Sequence, residues 1–129
     1  MARKTIVFDF DGVIHKGYAG WRDGSIYGEL DRDLMSFIVD LMEEYYIVIS
    51  SNRPAAQIVE YLTQAGYPVE EFKKDFEDHM YWRDPATIGV TNEKAVGALY
   101  VDDRGFRYNP AHSTRRSIKD IKKALKHLC

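Results

Sequence analysis

The sequence predicts an α/β fold of the doubly wound kind, a parallel sheet with helices on both faces. Three observations predict it. Short apolar runs rich in β-branched residues, such as Thr5 to Phe10 and Tyr46 to Ser50, read as strands buried on both faces. Segments with apolar residues at helical spacing alternate with them. Polar residues gather where the apolar runs end, and that is where such sheets bind ligands.

The first strand, Thr5 to Phe10, runs into Asp9-Phe10-Asp11-Gly12. Gly12 to Leu30 carries five glycines among Tyr18, Trp21, Ile26 and Tyr27, which suits a turn and a small hairpin or flap over 12–30. Asp31 to Glu44 reads as a helix with Leu34, Ile38, Leu41 and Tyr45 on one side and Asp31 or Asp33 near its start. A second strand, Tyr46 to Ser50, ends at Ser51-Asn52-Arg53. Pro54 opens a second helix, with Ala55, Ile58, Leu62 and Ala65 as its stripe and Gly66 as its stop.

Glu70 to His79 is charged and reads as helical, with Phe72 and Phe76 on its buried side. Asp84-Pro85 breaks the chain. Further strands are expected at Ala86 to Thr91, at Ala98 to Val101 before Asp102-Asp103, and at Phe106 to Asn109. Ser113 or Thr114 caps a last helix with Ile118, Ile121, Leu125 and Leu128 as its stripe. Its lysines at 122, 123 and 126 suit a helix C-terminus and read as a solvated basic face. The result is a Rossmann-like arrangement without internal repeat, linker or low-complexity segment.

Length and composition bound the function. The chain of 129 residues fits one domain, residues 1–129. Hydrophobic residues make up 45% and charged residues 29%, the balance of an ordinary globular protein. The net charge of −2 does not indicate a general affinity for nucleic acid or for a membrane. The one cysteine, Cys129, allows no internal disulfide, which points to a reducing, cytoplasmic setting. No signal peptide and no membrane-spanning stretch are evident.

The chemistry is read from the strand ends. In a strand, residues i and i+2 point the same way, so Asp9 and Asp11 leave the first strand together. Two carboxylates that close are costly unless a cation lies between them, and a hard divalent ion is the usual solution, Mg2+ where a phosphate shares the site. Ser51-Asn52, Asp102-Asp103 and Lys94 complete the set. Such a set suits phosphoryl transfer through a covalent aspartate. Asp9 would attack phosphorus, and Asp11 would protonate the leaving oxygen and then take a proton from the hydrolytic water. Asp103, with Asp102, would anchor the metal; Ser51 would hold a phosphoryl oxygen and Lys94 would balance charge. Alternation lets only one of Ser50 and Ser51 face the phosphate, and Ser51 is preferred. His15, His79, His112 and His127 lack metal-ligand spacing, but His15, four residues after Asp11, is placed where it could reach a leaving group.

These residues resemble the haloacid dehalogenase superfamily of phosphohydrolases. Phe8-Asp9-Phe10-Asp11-Gly12 is similar to its first motif, Ser51-Asn52 to its second, Lys94 to its third and Asp102-Asp103 to its fourth. The resemblance covers residues 5 to about 108. Glu93-Lys94-Ala95 and Leu99-Tyr100-Val101-Asp102-Asp103-Arg104 look like small members from bacteria and phages. It implies a phosphatase or phosphotransferase, with the metal held by Asp9, by the main-chain carbonyl of Asp11 and by Asp103, and with Asp102 in support. It also implies a capless enzyme, since neither gap between motifs has room for a separate domain. An open site favours a bulky or macromolecular phosphorylated substrate, or one enclosed by a partner subunit. Three other readings stand beside it: a phosphoacceptor module of the receiver type, a non-catalytic binding or scaffold protein, and a phosphatase of nucleic-acid ends. Receivers place adjacent acids early, whereas here they come late. Arg104, Arg107, Arg115 and Arg116 would be the local basic patch for nucleic acid.

Overall fold

A computed structural model describes residues 3–72, 82–92, 99–102, 106–107 and 114–126. In chain order the elements are β1 (Thr5–Phe8), β2 (His15–Lys16), β3 (Glu29–Leu30), α1 (Arg32–Leu41), β4 (Tyr46–Ser50), α2 (Ala55–Gln64), β5 (Val69–Glu71), β6 (Ile88–Thr91), β7 (Leu99–Asp102), β8 (Phe106–Arg107) and α3 (Thr114–Lys126). The fold is α/β, with helices against a parallel sheet. Six strands lie in the order β5-β6-β4-β1-β7-β8. All their pairings are parallel.

Strand β1 is central because its Ile6, Val7 and Phe8 are buried, whichever face they point to. It pairs with β4, Phe8 opposite Ile49, and with β7, Phe8 opposite Val101. After β1 the chain builds outward through β4, and it later returns to β1's other side as β7. The strand order therefore reverses at β1, and in open parallel sheets such a reversal is where ligands bind, at the carboxyl ends of the strands.

Alternation along the strands divides the core in two. Ile6, Phe8, Ile47, Ile49, Ile88, Val90 and Val101 join Leu34 and Ile38 of α1, Ile58 and Leu62 of α2, and Ile121 and Leu125 of α3 in one cluster. Each fully buried aliphatic side chain of that set contributes about 1.5–3 kcal/mol. Val7 and Val48 point the other way, to Phe72, Trp82 and Tyr100. The three helices among the described residues thus share one cluster. Right-handed crossovers explain it for α1 and α2, because β1 to β4 and β4 to β5 step in the same direction across the sheet.

The expected helix over Glu70 to His79 is corrected at its start. Val69–Glu71 is an edge strand paired with β6, Val69 opposite Ile88, and an edge tolerates the exposed Glu70 and Glu71. Phe72 is buried, as expected, but beside Val7 and Val48 rather than on a helix. Residues 73–81, with Phe76 and His79, lie outside the described residues. Helix α1 stops at Leu41 rather than Glu44, and its last turn tightens: Glu43 N donates to Asp40 O and Glu44 N to Leu41 O. Asp31 caps it by accepting from Leu34 N at 3.0 Å. No helix among the described residues is long and apolar enough to cross a membrane.

Candidate active site at the carboxyl end of the central strand

Asp9 follows β1 directly, and its amide still donates to Val101 O on β7 at 3.2 Å. Its carboxylate oxygen Oδ1 accepts from the next amide, Phe10 N, at 2.8 Å. The chain then folds tightly about Phe10, whose carbonyl oxygen accepts from the amides of Val13, Ile14 and His15. Gly12 permits this turn with φ at +85°. The burial of Phe10, Val13 and Ile14 anchors the turn, so the two aspartates are held on a rigid corner.

Asp11 is enclosed by two partners. Arg53 Nε donates to its Oδ1 at 3.2 Å and its Oδ2 at 3.1 Å. His15 Nδ1 lies 2.7 Å from Oδ1. The other ring nitrogen of His15, Nε2, accepts from Gly28 N at 2.8 Å. An amide can only donate, so Nε2 holds the lone pair and Nδ1 holds the hydrogen. Asp11 therefore accepts from both neighbours. His15 is 1% exposed, and its two ring nitrogens tie Asp11 to the hairpin of β2 and β3.

Arg53 is the residue that sequence reasoning missed. Its side chain is fully buried. Nη1 donates to Gly24 O at 2.6 Å and to Gln57 Oε1 at 3.2 Å. Gln57 Nε2 donates to the same Gly24 oxygen at 2.8 Å. The Trp21 ring covers the guanidinium, with Cζ 4.8 Å from the ring centroid. Nη2 is buried and has no partner among the described residues. One arginine thus joins Asp11, helix α2 and the tip of the flap. The available signal was an arginine two residues past a strand-ending serine, directly before a helix.

Ser51 and Asn52 follow β4, next to β1. Ser51 is buried, and its Oγ accepts from Arg53 N at 3.1 Å, leaving the hydroxyl proton free to donate elsewhere. Asn52 is exposed. Continuing the pairing of β1 with β4 by one residue sets Ser50, not Ser51, level with Asp9. Helix α2 has no cap from its own Pro54. Asn92, just past β6, supplies it: Oδ1 accepts from Ala55 N at 2.9 Å, while Nδ2 donates to Ser51 O at 3.0 Å and to Arg53 O. Asn92 was not singled out in the sequence because its partners lie some forty residues away.

The flap is the hairpin expected from its glycines. Strands β2 and β3 are antiparallel, with His15 opposite Leu30. Gly28 packs so closely that a Cβ there would overlap Lys16 O and His15 Nε2. Gly24 N donates to Trp21 O at 2.9 Å, closing the tip. Beside it, Asp23 accepts from Ser25 Oγ at 2.6 Å and Ser25 N at 3.0 Å; these bonds hold its carboxyl below the usual carboxylate range.

Asp102 ends β7, the strand beside β1, so its backbone stands near Asp9. Its side chain, and Lys94 and Asp103 entirely, lie outside the described residues. Among the described residues no three metal-ligating side chains cluster. Compared with known proteins, the chain matches no family model, no curated protein and no solved structure.

Proposed function

We propose that this chain is a Mg2+-dependent phosphohydrolase working through a phospho-aspartate on Asp9, a small capless member of the haloacid dehalogenase type. The observation that carries the reading is the placement of Asp9 and Asp11. They leave the central parallel strand at the point where strand order reverses, beside the polar end of β4.

The oxygen donors there suit a hard divalent cation. The Asp11 carboxylate is taken by Arg53 and His15, so Asp11 would offer its carbonyl oxygen, beside the Asp9 carboxylate and the acids Asp102 and Asp103. Bound there, Mg2+ would offset the charge of the phosphate and of Asp9. Asp9 attacks phosphorus, the P–O bond to the leaving group breaks, and an acyl phosphate forms. Asp11, oriented by His15, takes a proton from the water that cleaves the acyl phosphate. In the first half-reaction Asp11 would give a proton to the leaving oxygen. Ser51 and Asn52 line the phosphate side, with Lys94 as the balancing cation. A cytoplasmic setting accords with the single Cys129.

The test is hydrolysis of an aryl phosphate with and without Mg2+, for the wild type and Asp9→Asn. Metal-dependent turnover that Asp9→Asn abolishes, in a variant that stays folded, supports the reading. Undiminished turnover in that variant ends it. A second reading, a non-catalytic binding or scaffold protein, is favoured by one feature: both oxygens of Asp11 are engaged within the protein, as in a structural ion pair. Absence of turnover on every phosphate ester tried, together with unimpaired Mg2+ binding, would move the balance to it.

A further inference from the structure

The flap carries a feature that phosphate chemistry does not require. Trp21 is 48% exposed, and it and Val39 are the exposed large hydrophobic residues among those described. An exposed indole is commonplace on a mobile loop, but this one is held. One face rests on the Arg53 guanidinium, 4.8 Å away. Its six-membered edge abuts Gly24, where a Cβ would meet Cζ2 at 2.8 Å. Gly24 is held in turn by Trp21 O, Arg53 Nη1 and Gln57 Nε2. Held in this way, Trp21 still keeps 48% of its surface exposed.

We infer that Trp21, backed by Arg53, is a stacking platform for a planar ring on the phosphoester substrate, so that the substrate class is a nucleotide. The inference rests on the phosphohydrolase reading for the place of the phosphate, but not for the platform itself. Two observations support it independently. The ring is separated from Asp11 only by the guanidinium that contacts both, which puts the platform next to the reacting end. Arg53 Nη2, in the guanidinium beneath the ring, is a buried donor without an acceptor among the described residues. Stacking on an aromatic ring tolerates any base, because every base has a π-face. The same chemistry serves a free nucleotide and the end of a nucleic-acid strand.

Binding is read without turnover, by isothermal titration calorimetry of Asp9→Asn and of Asp9→Asn with Trp21→Leu, in the presence of Mg2+. The probes are adenosine monophosphate, ribose 5-phosphate and a 5′-phosphorylated oligoadenylate. Adenosine monophosphate is expected to bind saturably and roughly tenfold more tightly than ribose 5-phosphate. Trp21→Leu should erase that margin. Tighter binding of the oligonucleotide than of the mononucleotide assigns the platform to strand ends, and equal binding assigns it to free nucleotides. Equal or absent binding of adenosine monophosphate and ribose 5-phosphate overturns the inference, as does a margin that survives Trp21→Leu. A ring preference in a protein that hydrolyses no phosphate ester would leave the platform standing and defeat the phosphohydrolase reading. Turnover without ring preference would do the reverse.

Discussion

Arg53 Nε stands 3.2 and 3.1 Å from the two carboxylate oxygens of Asp11, across 42 residues of sequence. The pair is almost dry, with the arginine side chain fully buried and that of Asp11 13% exposed. It ties the corner after β1 to the loop after β4, and through Gly24 to the flap. Several properties of the protein should depend on it.

Arg53→Met should be strongly destabilising. It leaves Asp11 with one partner in a low-dielectric corner and deprives Gly24 O of a donor. Breaking a buried pair from one side typically costs about 3–5 kcal/mol. Urea unfolding followed by far-UV circular dichroism would measure it, and a loss below about 1 kcal/mol would show that the pair is hydrated in solution.

His15→Phe keeps an aromatic ring but removes both hydrogen bonds. The Gly28 amide then loses its acceptor, a loss of about 1–3 kcal/mol for that group if it stays buried. Turnover should fall further than stability predicts, because Asp11 is no longer oriented. Comparing kcat with the folded fraction separates the two effects; a kcat that tracks the folded fraction alone would remove the orienting role.

Gly28→Ala tests the close packing of the hairpin. The new methyl overlaps Lys16 O and His15 Nε2, so β2 and β3 must separate. Overpacking of this kind costs about 1–3 kcal/mol. An NMR amide spectrum should show shifts concentrated in residues 12–30, and a spectrum unchanged there would contradict the packing.

Asn92→Ala removes the only side-chain cap seen on α2 among the described residues. Loss of such a cap costs about 0.5–2 kcal/mol. Amide exchange at the start of α2 should accelerate, and Ser51 and Arg53 should loosen with it because Asn92 also holds their carbonyls.

Ser50→Ala and Ser51→Ala divide the phosphate contact between neighbours. A hydroxyl that donates to the transferring phosphoryl group is often worth about 3–4 kcal/mol in kcat. Ser51→Ala also removes the acceptor for Arg53 N, so its stability should fall as well. A large loss of kcat for one variant only identifies the donor.

Local patterns in the sequence account for the α/β class, the buried first strand with its two aspartates, the flap, and the starts of α1 and α2. Each of these is written in a local pattern: an apolar run, alternation into Asp-x-Asp-Gly, clustered glycines, Asp31 or Pro54 before a helical period. The central place of β1 and the partners that complete those local signals come from contacts between distant parts of the chain. Val69–Glu71 is a strand because β6 offers it an edge, although its composition suits a helix. Arg53, His15, Gln57 and Asn92 matter through hydrogen bonds that span the chain, and such bonds leave no periodicity to read. Burial is the physical reason. A charged or polar side chain enters the interior only where distant residues supply its partners, and a linear sequence records the side chain without recording the place where those partners meet.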